Sequence, residues 1–186
     1  MRVEILETAR LRIRPFAETD LDNCLRFRRQ VFALDEERAA AQGWLRWTID
    51  SYRELAQLGQ PPYADYAVEL KDGGAFLGSV GIVPTVLPWG ALKGTSEDRL
   101  LSPEIGLFWG ILPAHRRRGF AGEAAGALLG YLLDDLGARR AVATTERDNI
   151  ASQRVMKKLG MTLLRNPNPE PHWCQVVGLI EHPSAR

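Results

Sequence analysis

Leu11 and Ile13 alternate with Arg10, Arg12 and Arg14, the two-residue period of a half-buried strand over residues 6–14, and Pro15 ends it. Thr19-Asp20 offers a cap for a first helix carrying Leu21, Leu25 and Phe27 on one side. Over residues 35–58 the period becomes helical. Trp44, Leu45, Thr48, Tyr52 and Leu55 share one face, and Gly59 with Pro61-Pro62 stop the helix. Tyr66, Val68 and Leu70 mark a strand over 63–70. Lys71-Asp72-Gly73-Gly74 is a hairpin turn, and 76–83 returns as its partner. Residues 84–103 read as a long connection, of a length that is usually functional or mobile. Residues 104–112 form a strongly apolar strand. A helix over 119–136 follows, with Ala121, Ala125, Leu128, Leu132 and Leu136 in one stripe. A short strand over 140–144, a helix over 150–159 ended by Gly160, and two strands over 161–164 and 173–179 complete the chain.

The succession is one strand, two helices, three strands, then helix, strand, helix and two strands. It predicts a mixed α/β layer fold in which at least one crossover helix joins neighbouring strands. No repeat and no linker interrupts it, so a single domain over 1–186 is expected. At 186 residues and 45% hydrophobic the chain can bury a sizeable core, and 25% charged residues exclude a fibrous or disordered class. The net charge of +1 gives no global reason to expect nucleic acid or an anionic membrane as partner. Attraction to an anionic ligand must therefore be local. Cys24 and Cys174 are too few and too far apart for a disulfide framework or a zinc site, and read as inert core thiols. The start has no apolar signal region and no stretch reaches the length of a membrane span, so a cytoplasmic protein is expected.

Local charge gathers at Arg116-Arg117-Arg118-Gly119-Phe120-Ala121-Gly122, between the apolar strand and the small-residue helix. The first turn of a helix has N–H groups without partners and about half a positive charge from the macrodipole. Gly119, Ala121 and Gly122 let a phosphate approach the backbone closely, so the segment reads as a pyrophosphate cradle. The alternative is a solvated arginine run before an ordinary packed helix. It is neither a P-loop, which needs Gly-Lys-Ser/Thr, nor the dinucleotide fingerprint, which needs three spaced glycines.

Arg116-x-x-Gly119-x-Ala121 resembles the acetyl-CoA loop of the GNAT superfamily of N-acetyltransferases. The run from Gly119 to Ala124 is similar to the branch that acetylates ribosomal-protein N-termini. So are Asn149-x-x-Ser152-x-x-Val155-x-x-Lys158-Leu159-Gly160 and the opening Thr8-Ala9-Arg10-Leu11. The resemblance implies a mixed, splayed central sheet of six or seven strands flanked by helices. It implies acetyl-CoA as co-substrate, an amine acceptor and no metal. In that reading Ile111 and Leu112 offer backbone groups to the pantetheine amides, and Arg116, Arg117, Arg118, Gly119, Phe120, Ala121 and Gly122 hold the pyrophosphate. Asn149 and Ser152 sit near the thioester, and Lys158, with Arg154, reaches the 3′-phosphate or is simply a solvated charge.

The attacking amine must be neutral. At pH 7 an α-amine is about one-seventh neutral, a lysine about one part in 2,500. Glu104 is the candidate base, through a water, unless it caps the strand or pairs with an arginine. Many GNAT enzymes place a tyrosine acid seven residues after the position of Asn149; here that position is Met156. Ser152 is the substitute donor to the sulfur, its other reading being a helix cap. The Leu112 N–H is the expected oxyanion donor. Trp47 is a pocket or interface candidate, and Trp89 a cover for the substrate. A non-catalytic acyl-CoA-sensing domain is the alternative to an enzyme, and a homodimer through the apolar last strands is a further expectation.

Overall fold

The computed structural model describes residues 5–92 and 101–185. The amino-terminal alternation forms two strands rather than one. β1 (Leu6–Glu7) and β2 (Leu11–Pro15) pair antiparallel and fold back through residues 8–10. Two helices follow, α1 (Leu21–Phe32) and α2 (Arg38–Gln57). The Asp20 carboxylate caps the approach to α1 by accepting the Ala17 N–H at 2.8 Å.

β3 (Ala64–Leu70) and β4 (Phe76–Leu87) make the expected hairpin. β4 runs past Val83, through the exposed Pro84, and is followed by a short helix, α3 (Trp89–Leu92). Much of the expected long connection is thus structured; residues 93–100 lie outside the described residues. β5 (Ser102–Ile111) leads to α4 (Phe120–Gly130), which continues as a π turn, Tyr131–Asp135. β6 (Arg140–Thr145), α5 (Ile150–Lys158), β7 (Thr162–Arg165) and β8 (Val176–Glu181) complete the order. The last strand begins later than its apolar run because His172–Cys174 is a 3-10 turn.

The strands hydrogen-bond in the order β1-β2-β3-β4-β5-β6-β8-β7, eight where six or seven were expected; the separate β1 makes the eighth. β5 and β6 are parallel and share a single register pair, Gly106↔Val142, whereas β6 and β8 pair over six residues antiparallel. So short a parallel contact between strands of ten and six residues is the feature that makes the sheet mixed.

By its internal contacts the chain divides into two compact units, Met1–Ile82 with Phe108–Leu128, and Val83–Leu107 with Leu129–Arg186. In the first, α1 and α2 bury Phe16, Cys24, Phe27 and Leu45 against Ala67, Phe76 and Leu112. Phe27 meets Phe76 edge to face at 6.2 Å, and each such buried side chain contributes about 1.5–3 kcal/mol through lost apolar surface. β4 approaches the end of β5 so closely that a Cβ on Gly78 (φ 155°) would stand 2.1 Å from the Gly110 carbonyl. In the second unit, Leu87, Val142, Cys174 and Val177 form the core, with Trp89, Leu92, Leu164 and Leu179 packed on it.

Both cysteines are buried free thiols, and burial raises each above the ordinary thiol range, Cys24 to about 12. They are core groups, as expected. Among the described residues no helix is long and apolar enough to cross a membrane.

Candidate functional site

In the first unit β5 ends at Ile111, a 3-10 turn (Pro113–His115) follows, and α4 opens at Phe120. The Glu123 N–H donates to the Gly119 carbonyl at 3.1 Å, which makes Gly119 the cap of α4. The amides of residues 119–122 precede that first intrahelical acceptor pattern and need other partners. Gly119 reaches this position at φ 82°, and Arg117, a non-glycine, at φ 61°. Gly119 is exposed, and among the described residues a Cβ on it would have only the Arg10 Nη2 near it, at 3.5 Å. Arg116, Arg117, Arg118 and Gly119 are exposed, Ala121 and Gly122 half-buried, and the Phe120 ring is buried. Open amides, a helix N-terminus and three exposed arginines fit a diphosphate.

Not every basic group points outward. The Arg116 Nε donates to the Ile111 carbonyl at 2.9 Å, which turns this side chain back against the strand. The Leu112 N–H, expected to face the thioester oxyanion, donates instead to the Leu77 carbonyl at 2.9 Å. The ladder between β4 and the end of β5 takes it, so that expectation is corrected. The buried Nδ1 of His115 has no hydrogen-bond partner among the described residues.

The loop is clamped from a distance that the sequence does not reveal. Glu123, in the first turn of α4, accepts hydrogen bonds from the Thr8 hydroxyl (2.5 Å), the Arg10 N–H (3.0 Å) and the Arg10 Nε (2.8 Å). Those contacts hold its carboxyl below the usual range against the opposing effect of burial. Arg10 also donates through Nη1 to the Arg118 carbonyl at 3.1 Å, and its guanidinium lies 4.5 Å from the centre of the Phe120 ring.

In the second unit Glu104 on β5 is buried, its side chain 2% exposed. Arg140, at the start of β6, grips it with two nitrogens, one of them Nε at 2.6 Å from Oε2. The Trp89 indole N–H (2.9 Å) and the Ser102 hydroxyl (3.0 Å) also donate to it. Burial would raise its proton affinity, but these bonds and the Arg140 charge outweigh it, and the carboxyl titrates below the ordinary range. The arginine pairing considered for Glu104 is therefore present. Trp89 shares the pair, with the Arg140 guanidinium 5.3 Å over its ring.

Asn149 and Ser152 meet at the start of α5, where the Asn149 Oδ1 accepts the Ser152 N–H at 3.1 Å. Asn149 is the cap, so Ser152 is not. Lys158 is exposed in the last turn of α5, nine residues and about 13 Å along the axis from Asn149. Met156 is fully buried and lines the core beside Gly178. A side chain at that position packs inward here. Trp47 is 64% exposed on α2. Among the described residues no group of three or more His, Cys, Asp or Glu could hold a metal.

The model of the Acetyltransferase (GNAT) domain family matches residues 10–162. The chain is 45% identical over 58 residues to the uncharacterized N-acetyltransferase YnaD of Bacillus subtilis (strain 168), a match covering 31% of this chain and 33% of that protein. The chain spans little more than a third, at most 38%, of the length of the curated relatives it matches. Its backbone is similar to the GNAT-family acetyltransferase of Bacillus anthracis, with TM-score 0.67, 18% identity, and 96% and 99% of the two chains covered. It is also similar to RimL, the ribosomal L7/L12 alpha-N-protein acetyltransferase solved in complex with coenzyme A, with TM-score 0.66, 15% identity, and 98% and 100% covered. At those identities the solved structures establish the fold. The family match covers most of the chain and includes both the capped loop and the buried Glu104, and the chain belongs to the GNAT acetyltransferase family.

Proposed function

We propose that the chain moves an acetyl group from acetyl-CoA to a primary amine, with the pyrophosphate held on residues 116–122. The observation that carries this reading is the loop itself. Amides ahead of the first helical bond, a cap at φ 82°, and exposed arginines gather in a chain of net charge +1. The amine nitrogen bonds to the thioester carbonyl carbon, the C–S bond breaks, and the electron pair leaves on sulfur. That thiol has an ordinary pKa near 8.5, so it departs with little need of a proton. The proton lost by the amine goes to Glu104 through a water, or to solvent.

The depressed proton affinity of Glu104 makes it a weak base. A weak base suits an acceptor that is already partly neutral, an α-amine rather than a lysine. RimL, similar in fold, is itself an alpha-N-protein acetyltransferase. Asn149 and Ser152 are assigned to the thioester end, with the Ser152 hydroxyl as donor to the sulfur, and Ile111 to the pantetheine arm through its remaining backbone capacity. Lys158 is assigned to the 3′-phosphate. A homodimer and a cytoplasmic site of action belong to the same proposal.

Calorimetric titration with acetyl-CoA tests the cofactor half. Micromolar binding, about −8 kcal/mol, is expected for the native chain. Gly119→Pro should abolish it with the circular dichroism spectrum retained, because proline fixes φ near −65° and lacks the N–H. An acceptor screen on Glu104→Gln tests the chemistry. Lost rate with unchanged acetyl-CoA affinity supports the base. Binding without turnover by the native chain would favour an acyl-CoA sensor, a reading the fully engaged Glu104 carboxylate also allows.

A further inference from the structure

The turn between β1 and β2 has no part in the chemistry above, yet one of its side chains reaches three consecutive residues of the phosphate loop. The Arg10 Nη1 donates to the Arg118 carbonyl, its Nη2 lies 3.5 Å from where a Gly119 side chain would begin, and its guanidinium covers the Phe120 ring. The Nε and Nη2 close on Glu123 at 2.8 and 2.6 Å, and the Thr8 hydroxyl holds the same carboxylate from the other end of the turn. We propose that Arg10 is a positioning residue for cofactor binding: it sets the direction of the Gly119 amide and so the shape of the pyrophosphate cradle. This rests on the reading of residues 116–122 as that cradle.

The physical argument starts from the peptide unit between Arg118 and Gly119. A trans peptide is planar, so its C=O and N–H point in opposite directions. Fixing the Arg118 oxygen on Arg10 aims the Gly119 N–H away from Arg10, toward the side where a ligand would sit. The loop needs such a hold because it passes through two left-handed residues, Arg117 and Gly119, a backbone course that persists only when its surroundings enforce it. Each side-chain nitrogen of Arg10 meets a protein group, Nε and Nη2 the Glu123 carboxylate and Nη1 the Arg118 carbonyl, which makes it a brace for the loop. Only arginine can do this. Its planar fork serves a carboxylate and a carbonyl at once while stacking on a ring, whereas a lysine ammonium is a single point of charge.

The test is calorimetry of CoA on the full chain as Arg10→Lys and Arg10→Met, with pantetheine, which lacks the pyrophosphate, as a second probe. Both variants are expected to bind CoA about tenfold more weakly or worse, the loss of roughly one well-placed charge-assisted bond. Pantetheine affinity and the melting temperature should stay near those of the native chain. A merely structural role would lower the melting temperature or weaken both probes. If Arg10→Lys binds CoA as the native chain does, charge alone suffices and the positioning role is overturned; unchanged binding in both variants overturns it as well. Should an Arg10 variant fail to fold, Glu123→Gln removes the anion that orients Arg10 and must give the same selective loss of CoA. Failure of the native chain to bind CoA would sink the cradle itself, an outcome separate from any difference between variants.

Discussion

Removing Arg140 should expose what the buried Glu104 costs when it stands without its partner. In Arg140→Met the Glu104 carboxylate keeps the Trp89 indole and the Ser102 hydroxyl but loses a bidentate cation. Breaking a buried pair from one side costs about 3–5 kcal/mol. The Arg140 side chain is 35% exposed, so water can reach part of the vacated space, and the two remaining donors share the charge. We therefore expect a loss of about 2–3 kcal/mol at pH 8. The sign with pH follows from the depressed carboxyl. In the native chain Glu104 contributes stability above its unfolded pKa, about 4.3, and loses that contribution as pH falls through its lower folded value. In the variant, burial acts with less opposition, so Glu104 takes up its proton at higher pH. The gap between the two proteins should then shrink by half or more between pH 8 and pH 4.5. Urea unfolding of both proteins across that range measures it, with Glu104→Gln and the double variant closing a cycle whose coupling should lie within about 1–3 kcal/mol. A gap under about 0.5 kcal/mol at pH 8, or one that pH leaves unchanged, would refute the account.

Three further outcomes test other parts of the molecule. Burial lifts the Asp65 carboxyl to about 6, partly countered by the Arg28 charge, so its ionisation opposes folding as pH rises through that value. Asp65→Asn should add about 2 kcal/mol at pH 8 and almost nothing at pH 4, read from urea melts at the two pH values. Among the described residues the buried Thr48 hydroxyl on α2 has no hydrogen-bond partner. Thr48→Val keeps the shape and should raise the melting temperature by about 2–4 °C, the equivalent of about 1 kcal/mol; a lowered value would mean that the hydroxyl is satisfied. Cys24, buried with its thiol pushed up to about 12, should resist a thiol reagent at pH 8 until the chain is unfolded by urea.

Local pattern determined a good deal of this protein. The helical period of Trp44, Leu45, Thr48 and Tyr52 gives α2, the alternation through Tyr66 and Val68 gives β3, and the Arg-Arg-Arg-Gly run followed by small residues gives the exposed basic loop before α4 that we propose as the pyrophosphate cradle. These are legible because period, capping and close backbone approach depend on neighbours within a few positions. The split of the first strand was not legible. Its cause is a turn whose Thr8 and Arg10 bond to Glu123, more than a hundred residues later. Glu104 was legible as a charged residue opening an apolar strand, but its partners were not. Arg140 and Trp89 come to it only through the pairing of β5 with β6 and the course of α3. The approach of β4 to the end of β5 takes the Leu112 amide for Leu77, and the packing of α5 beside Gly178 buries Met156. Sequence by itself therefore determined which segments curl, which extend and where exposed basic charge gathers ahead of a helix. The tertiary structure alone decided which charges are braced, buried or already spent, because hydrogen-bond partners and desolvation are set by residues that distant parts of the chain bring together.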